Sequence, residues 1–245
     1  MSDQRPQPQL TPLDVMSTWL FADPVAGGTK RPNLKVRVVG NVPRIVVKTN
    51  VPDDRNNGRI DFQTDTATFA SFLYKLEQLA EGKTDQSFSF EYIDDFVAGK
   101  KLDKPMTLST LKIGKDRDSG KLFMAVLGHN RPKIQFFFGP SKFHALKYGD
   151  GSPVPEGEVS AAYAMGFVRS MGPIVQHLLV SNFNEDARNV AKPPQMQNRG
   201  GGGGGNYGGG NRGGGGGNYG GGNSGGGNSG GGGGDFSTVE GFGDW

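Results

Sequence analysis

The segment LKVRVVGNVPRIVVKT, residues 34–49, has the alternation and the turn residues of a β-hairpin. Apolar and basic residues alternate over residues 34–39 and recur over residues 44–49, and the turn formers Gly40 and Asn41 lie between the two segments. A period of two places successive side chains on opposite faces of a strand. We therefore predict an antiparallel pair of strands with one apolar face and one cationic face.

Further strands are predicted on the C-terminal side of this pair. PDDRNNG at residues 52–58 is strong turn chemistry, and residues 59–63 follow it as a third strand. KDRDSG at residues 115–120 is typical of a hairpin turn, and residues 99–105 are expected to form a lysine-rich loop. Four more strands are predicted at residues 87–93, 106–113, 121–127 and 132–138.

Two long segments have the period of a helix. Apolar residues lie three and four apart between a capping Asp65 or Thr66 and Gly82, which predicts one helix. A second helix is predicted over residues 156–181, where Pro173 should kink or split it because proline lacks an N–H donor. Shorter helical segments are expected at residues 13–21 and 142–148.

The predicted order is three strands, a helix, four strands and a second helix. Helices that follow runs of strands favour an α+β fold with antiparallel sheets over a dinucleotide-binding βαβ fold. The expected organisation is an N-terminal arm of residues 1–32, a folded domain of residues 33–183, a linker of residues 184–234 and a tip of residues 235–245.

The linker and the tip have unusual compositions. Of the 35 residues 200–234, 25 are glycine, which loses much backbone entropy on ordering and offers no side chain to bury. We therefore predict a disordered glycine-rich linker. The tip, DFSTVEGFGDW, has three acids, three aromatics and no base. A partner with an apolar pocket and a basic rim could hold the Trp245 indole and its terminal carboxylate.

Composition excludes several classes of protein. The chain has no cysteine, so disulfides and thiolate chemistry are excluded. Its apolar stretches are too short for a membrane span, and its N-terminus does not have a signal-peptide pattern, so we expect a cytoplasmic protein with no membrane partner. Residues 1–199 hold 26 basic against 21 acidic residues, so the folded domain should attract polyanions.

Catalytic and metal-binding residues are not expected. His129, His144 and His177 are far apart in the sequence, and none has the spacing of a metal motif such as HExxH. The sequence has no P-loop, and its paired acids fall in turns or at strand ends, where carboxylates usually bond the backbone. We therefore expect a protein that is not an enzyme and has no cofactor.

The cationic strand faces point instead to nucleic-acid binding. Lys35 and Arg37 share one face of their strand, and Val36 and Val38 share the other. Such a surface can follow a phosphate backbone, because each neutralised phosphate releases counterions, and aromatic rings can stack on unpaired bases. The candidate DNA contacts are Lys35, Arg37, Arg44, Lys48, Lys112, Phe123, Arg131, Lys133 and Phe137.

Other aromatic residues leave two interpretations open. Phe88, Phe90 and Tyr92 share one face of a predicted strand. They are either further stacking platforms or part of the core.

A basic body, a glycine-rich linker and an acidic tip with a terminal aromatic resemble bacterial and phage single-stranded DNA-binding proteins. The resemblance implies that the tip recruits replication, recombination and repair proteins and competes with DNA for the body. The family's tip is more densely acidic and ends in Phe, so individual partners are not carried over. The tip residues expected to contact partners are Asp235, Phe236, Glu240, Phe242, Asp244 and Trp245.

The predicted strand and helix order is similar to that of Whirly and coactivator-type single-strand binders, in which helices pack behind the sheets or mediate homo-oligomers. An elaborated oligonucleotide-binding barrel is the alternative fold. Two other functions stay open: a glycine-rich RNA-binding protein or RNA chaperone, and a structural or assembly protein whose tail is the active part.

Overall fold

The part of the chain that the structure describes folds into two antiparallel four-stranded sheets and two α-helices. The computed structural model describes residues 10–26, 28–97, 100–187 and 189–191. The first sheet is β1 (Leu20–Phe21), β2 (Asn33–Val39), β3 (Val42–Lys48) and β4 (Arg59–Gln63), followed by α1 (Thr66–Ala80). The second is β5 (Phe88–Val97), β6 (Lys100–Lys115), β7 (Leu122–Gly128) and β8 (Phe136–Phe137), followed by α2 (Glu156–Ser181).

The predicted α+β class, antiparallel pairing and strand–helix order are confirmed. The structure has one strand more than the sequence predicts, β1. With β1 the two halves of the chain are alike, because each is a four-stranded meander followed by a helix. Within each sheet every strand pairs with the next along the chain.

The β2–β3 hairpin has the register that its sequence predicts. Gly40 and Asn41 have φ values of 59° and 64°, as a two-residue hairpin turn requires. Leu34 faces Val47 across the pair. Since side chains alternate, Leu34, Val36, Ile45 and Val47 share the face toward the core, and the cations share the opposite face with Val46.

The predicted loop at residues 99–105 is wrong, because most of it is strand. The β5–β6 hairpin extends to the pair formed by Val97 and Lys100, with irregular register on either side of Ile93 and Asp94. Residues 103–107 are all exposed. A ribbon without a buried face does not show the apolar alternation that marks a strand.

The predicted helix at residues 13–21 is also wrong. The segment forms two 3-10 turns, Pro12–Asp14 and Met16–Thr18, and then strand β1. A helix this short is marginal in water, because few hydrogen bonds offset its nucleation. Leu13 is only 2% exposed and lies in the core, so the described part of the expected N-terminal arm packs against the first sheet.

The α1 helix is confirmed with its caps. The Asp65 carboxylate accepts a hydrogen bond of 2.7 Å from the backbone N–H of Thr68. Gly82, two residues after the last helical residue, has a φ of 68°, which suits glycine.

The α2 helix is continuous through Pro173, so of the predicted kink or split, the split does not occur. Proline leaves the carbonyl of the residue four positions earlier without its usual donor. That residue is the exposed Arg169, where water can supply the missing bond.

Two predicted elements between β7 and α2 are shorter than expected. The predicted strand at residues 132–138 is reduced to Phe136–Phe137, partly because Pro132 cannot donate to a strand partner. The predicted helical turn at residues 142–148 is a reverse turn, in which the N–H of His144 donates to the carbonyl of Ser141.

A single apolar core unites both sheets and both helices. Phe72 of α1 meets Phe90 of β5 edge-on, with ring centroids 6.4 Å apart. Phe138, just after β8, meets Phe167 of α2 at 5.5 Å. The outer faces of the sheets are therefore the places where polar side chains gather.

Candidate nucleic-acid interface

The outer face of the first sheet gathers five cations. Arg37 of β2 lies opposite Arg44 of β3, which in turn lies opposite Gln63 of β4. Lys48 of β3 lies opposite Arg59 of β4. We call this surface the cationic face and define it as Lys35, Arg37, Arg44, Val46, Lys48, Arg59, Asp61 and Gln63. The four first-sheet residues that the sequence predicted as DNA contacts therefore share one surface.

Three of these cations have partners within the fold. Lys35 lies 3.5 Å from a carboxylate oxygen of Asp14. Arg59 forms two hydrogen bonds of 2.7 Å with Asp61. The Lys48 ammonium donates to the backbone carbonyl of Asn57.

Arg37 and Arg44 differ from the other three cations. Their guanidinium groups make no hydrogen bond or salt bridge with any residue that the structure describes. The two residues are directly opposed across β2 and β3, an arrangement that destabilises a sheet when both carry the same charge. In addition, Nε of Arg44 is buried without an acceptor among the described residues. An unpaired buried donor is costly unless a ligand supplies the acceptor.

The charge of this face acts on neighbouring groups. Burial acts to raise the pKa of Asp14, but hydrogen bonds from Thr11 and the charges of Lys35 and Arg37 hold that pKa below its ordinary value. Burial and a hydrogen bond to Asp94 raise the pKa of Tyr92, and the positive charge of Arg44 partly offsets that rise.

Two aromatic residues that the sequence analysis missed border the cationic face. The Lys35 ammonium lies 4.4 Å from the ring centroid of Trp19, and the Arg31 guanidinium lies 5.6 Å from that of Phe21. The two ring centroids are 6.2 Å apart. Trp19 and Phe21 are two residues apart in the sequence. A strand places residues with this spacing on the same side, whereas a helix does not, so reading this segment as a strand would have paired the two rings.

Lys112, Phe123 and Phe137 belong to the second sheet and are not part of the cationic face. These residues lie on the side of β6, β7 and β8 that faces away from the core. Phe123 is only 2% exposed, because it packs edge-on against Phe137 and closely over Gly114. Its ring is therefore covered, whereas Phe137 is 37% exposed.

The segment around β8 alternates as predicted. Ile134, Phe136 and Phe138 are buried, and Lys133 and Phe137 are exposed. Lys133 therefore lies on the outer side of this segment.

Arg131 has a structural role. Its guanidinium binds the Asp54 carboxylate, with the Arg131 and Asp54 side chains 10% and 4% exposed. A phosphate could reach this guanidinium only by replacing a buried carboxylate. Arg131 as a DNA contact stays a prediction without support from its geometry.

The remaining candidates are three aromatic residues of β5 and the residues of the tip. Phe88, Phe90 and Tyr92 are half-buried against the core, in agreement with the second interpretation of that strand. The six tip residues lie outside the described residues.

The described ranges also bear on metal binding and on membrane insertion. No group of three His, Asp or Glu side chains there is arranged to hold a metal ion. Neither described helix is long and apolar enough to cross a membrane. No family model, curated protein or solved structure matches this chain.

Proposed function

We propose that this protein is a non-enzymatic single-stranded DNA-binding protein that coats DNA through the cationic face, with little sequence preference. The observation that carries the proposal is the opposed pair Arg37 and Arg44, for which the described residues supply no hydrogen-bond or ion-pair partner. Planar guanidinium groups suit phosphate oxygens, because each can donate two parallel hydrogen bonds. A bound phosphate would supply acceptors to both guanidinium groups, although Nε of Arg44, which is buried, would gain one only when its side chain turns outward.

The neighbouring aromatics favour an unpaired strand over a duplex. Trp19 lies beside Lys35 of the cationic face, and Phe21 lies beside Arg31. In a duplex the faces of the bases are stacked on one another, whereas single-stranded bases can stack on protein rings. Positive charge next to aromatic rings is the combination that sequence-tolerant single-strand binding uses.

The cellular role rests on the tail. The glycine-rich linker and the acidic tip support action in the cytoplasm during replication, recombination or repair, with the tip recruiting partner proteins. DNA rather than RNA is favoured by the same tail architecture. Competition among poly(dT), poly(U) and duplex DNA separates these ligands, and a preference for poly(U) would favour an RNA chaperone.

The decisive experiment compares two double variants that remove the same charge. Arg37→Thr with Arg44→Thr changes the cationic face, and Lys112→Thr with Lys133→Thr changes the second sheet. Binding of labelled oligo(dT) is followed by fluorescence anisotropy over a range of salt concentrations. The arginine variant should lower affinity and reduce the log–log salt slope by about 1.4, since each single-strand phosphate contact contributes about 0.7.

The lysine variant should keep an affinity and a salt slope close to those of wild type. If the lysine variant loses the slope and the arginine variant keeps it, the second sheet is the interface. If wild-type protein does not bind oligo(dT) at low salt, the proposed function is wrong.

A further inference from the structure

A groove of about 460 Å³ lies between an edge strand of each sheet. One wall comes from the second 3-10 turn and β1, and the other comes from β8 and the segment that follows it. Residues of α2, including Tyr163 and Gly166, complete the lining. This volume is in the range of small-molecule sites in proteins.

The lining combines aromatic rings with positive charge. Trp19, Phe21, Phe137 and Tyr163 contribute rings. The cations are Arg31 and Lys142, and no carboxylate is found among the described lining residues. Such a groove is complementary to a flat aromatic group that carries negative charge.

The groove continues the cationic face. Trp19 and Phe21 line the groove, and the Lys35 ammonium lies 4.4 Å from the Trp19 ring centroid. A strand held by Arg37 and Arg44 could therefore reach the groove along one connected surface.

Free space remains where α2 borders the groove. Apart from its chain neighbours and the backbone of its own helix, a Cβ atom placed on Gly166 would meet nothing within 4 Å. Gly166 is also exposed. A larger side chain could thus extend from this position without disturbing the packed core.

We infer that the groove seats one unpaired nucleobase of the bound strand, which stacks on its aromatic rings while Arg31 and Lys142 receive the adjoining phosphates. This inference rests on the proposed function, since it assigns a base position to the strand that the cationic face holds.

The test uses Trp19 as a reporter of the groove. The chain has two tryptophans, so Trp245→Phe leaves Trp19 as the only one. In that background, oligo(dT) should quench the fluorescence of Trp19. An abasic oligonucleotide of the same length carries the same phosphates and should quench it far less, because the stacking group is missing.

Gly166→Leu then fills the groove, and Gly166→Ala is the matched small control. Leucine also favours the helix over glycine, so α2 should remain folded. Gly166→Leu should weaken oligo(dT) binding about tenfold and abolish most Trp19 quenching, with an unchanged salt slope. Gly166→Ala should behave like the parent, and circular dichroism confirms that both variants fold.

The groove assignment is overturned if Gly166→Leu binds and quenches like Gly166→Ala, or if abasic DNA quenches as fully as oligo(dT). It is also overturned if a peptide of residues 235–245 carrying Trp245→Phe perturbs Trp19 and oligo(dT) does not, because the groove would then be a peptide site. Failure of the parent protein to bind any oligonucleotide would instead refute the proposed function.

Discussion

The Arg131 guanidinium holds the Asp54 carboxylate through hydrogen bonds of 2.6 Å from Nε and 2.9 Å from Nη2. Asp54 also accepts a hydrogen bond of 2.5 Å from the Thr49 hydroxyl, and Arg131 donates to the carbonyl of Arg59 at 3.2 Å. The pair joins the loop after β7 to the turn before β4. It therefore connects the two sheets at a buried polar contact.

Removing one charge of this pair should destabilise the protein strongly. Asp54→Asn leaves the guanidinium of Arg131 buried without its counter-charge, which typically costs about 3–5 kcal/mol. Urea unfolding at pH 7 measures the change in free energy of unfolding. The control is Asp85→Asn, because the Asp85 side chain is 79% exposed and its pair with Lys115 should contribute less than about 1 kcal/mol. Similar losses in both variants would contradict this role for Asp54.

The same pair should make stability depend on pH. The hydrogen bond from Arg131 is the main cause that holds the pKa of Asp54 below its ordinary value. The unfolded chain titrates near a pKa of about 3.9, so ionised Asp54 stabilises the fold above that pH. This stabilisation is lost as the pH falls through the lower pKa of the folded state.

We therefore expect unfolding experiments from about pH 5 to about pH 2 to show a steeper loss of stability in wild type than in Asp54→Asn. Parallel curves for the two proteins would mean that other carboxylates account for the acid sensitivity.

Arg37→Thr should stabilise the free protein and weaken DNA binding. Arg37 directly opposes Arg44, so its removal relieves a destabilising like-charge contact, on the scale of about 0.2–1 kcal/mol that is typical of cross-strand pairs. The control is Lys112→Thr, whose cross-strand neighbours are the uncharged Ser89 and Ala125. Thermal unfolding of both variants measures the expected gain in stability, and oligo(dT) binding measures the expected loss of affinity. A less stable Arg37→Thr protein would show that the pair is not repulsive.

Leu13→Ala tests whether the N-terminal segment belongs to the folded unit. Leu13 is 2% exposed, and truncating a buried leucine costs about 2–5 kcal/mol. Leu10, three residues earlier, is 81% exposed, so Leu10→Ala should leave the free energy of unfolding almost unchanged. Equal stability of the two variants in urea would indicate that the segment is a detachable arm after all.

The sequence predicted the elements whose signals are local. The helix α1 has its cap, its apolar stripe and its terminal glycine within one segment, and the β2–β3 hairpin has its turn and alternation together. Strand β1 and the outer part of the β5–β6 ribbon escaped prediction. Strand β1 is too short to show a period. The outer part of the ribbon buries neither face, so it lacks the apolar alternation that marks a strand.

In the candidate site, too, the residues with a local sequence signal were predicted and those without one were not. Alternation placed Lys35, Arg37, Arg44 and Lys48 on one face, because that face depends only on the hairpin register. The buried pairing of Arg131 was not foreseen because its partner Asp54 lies 77 residues away, and no local pattern reveals such a pairing.

The two halves of this chain repeat one order of elements, yet their apolar residues meet in a single core. Neither half could shield its own leucines and phenylalanines from water without the other. A nick in the exposed connection between α1 and β5 should therefore yield two fragments that are insoluble apart and complement each other when mixed. The protein would then behave as an obligate heterodimer made from a single gene product.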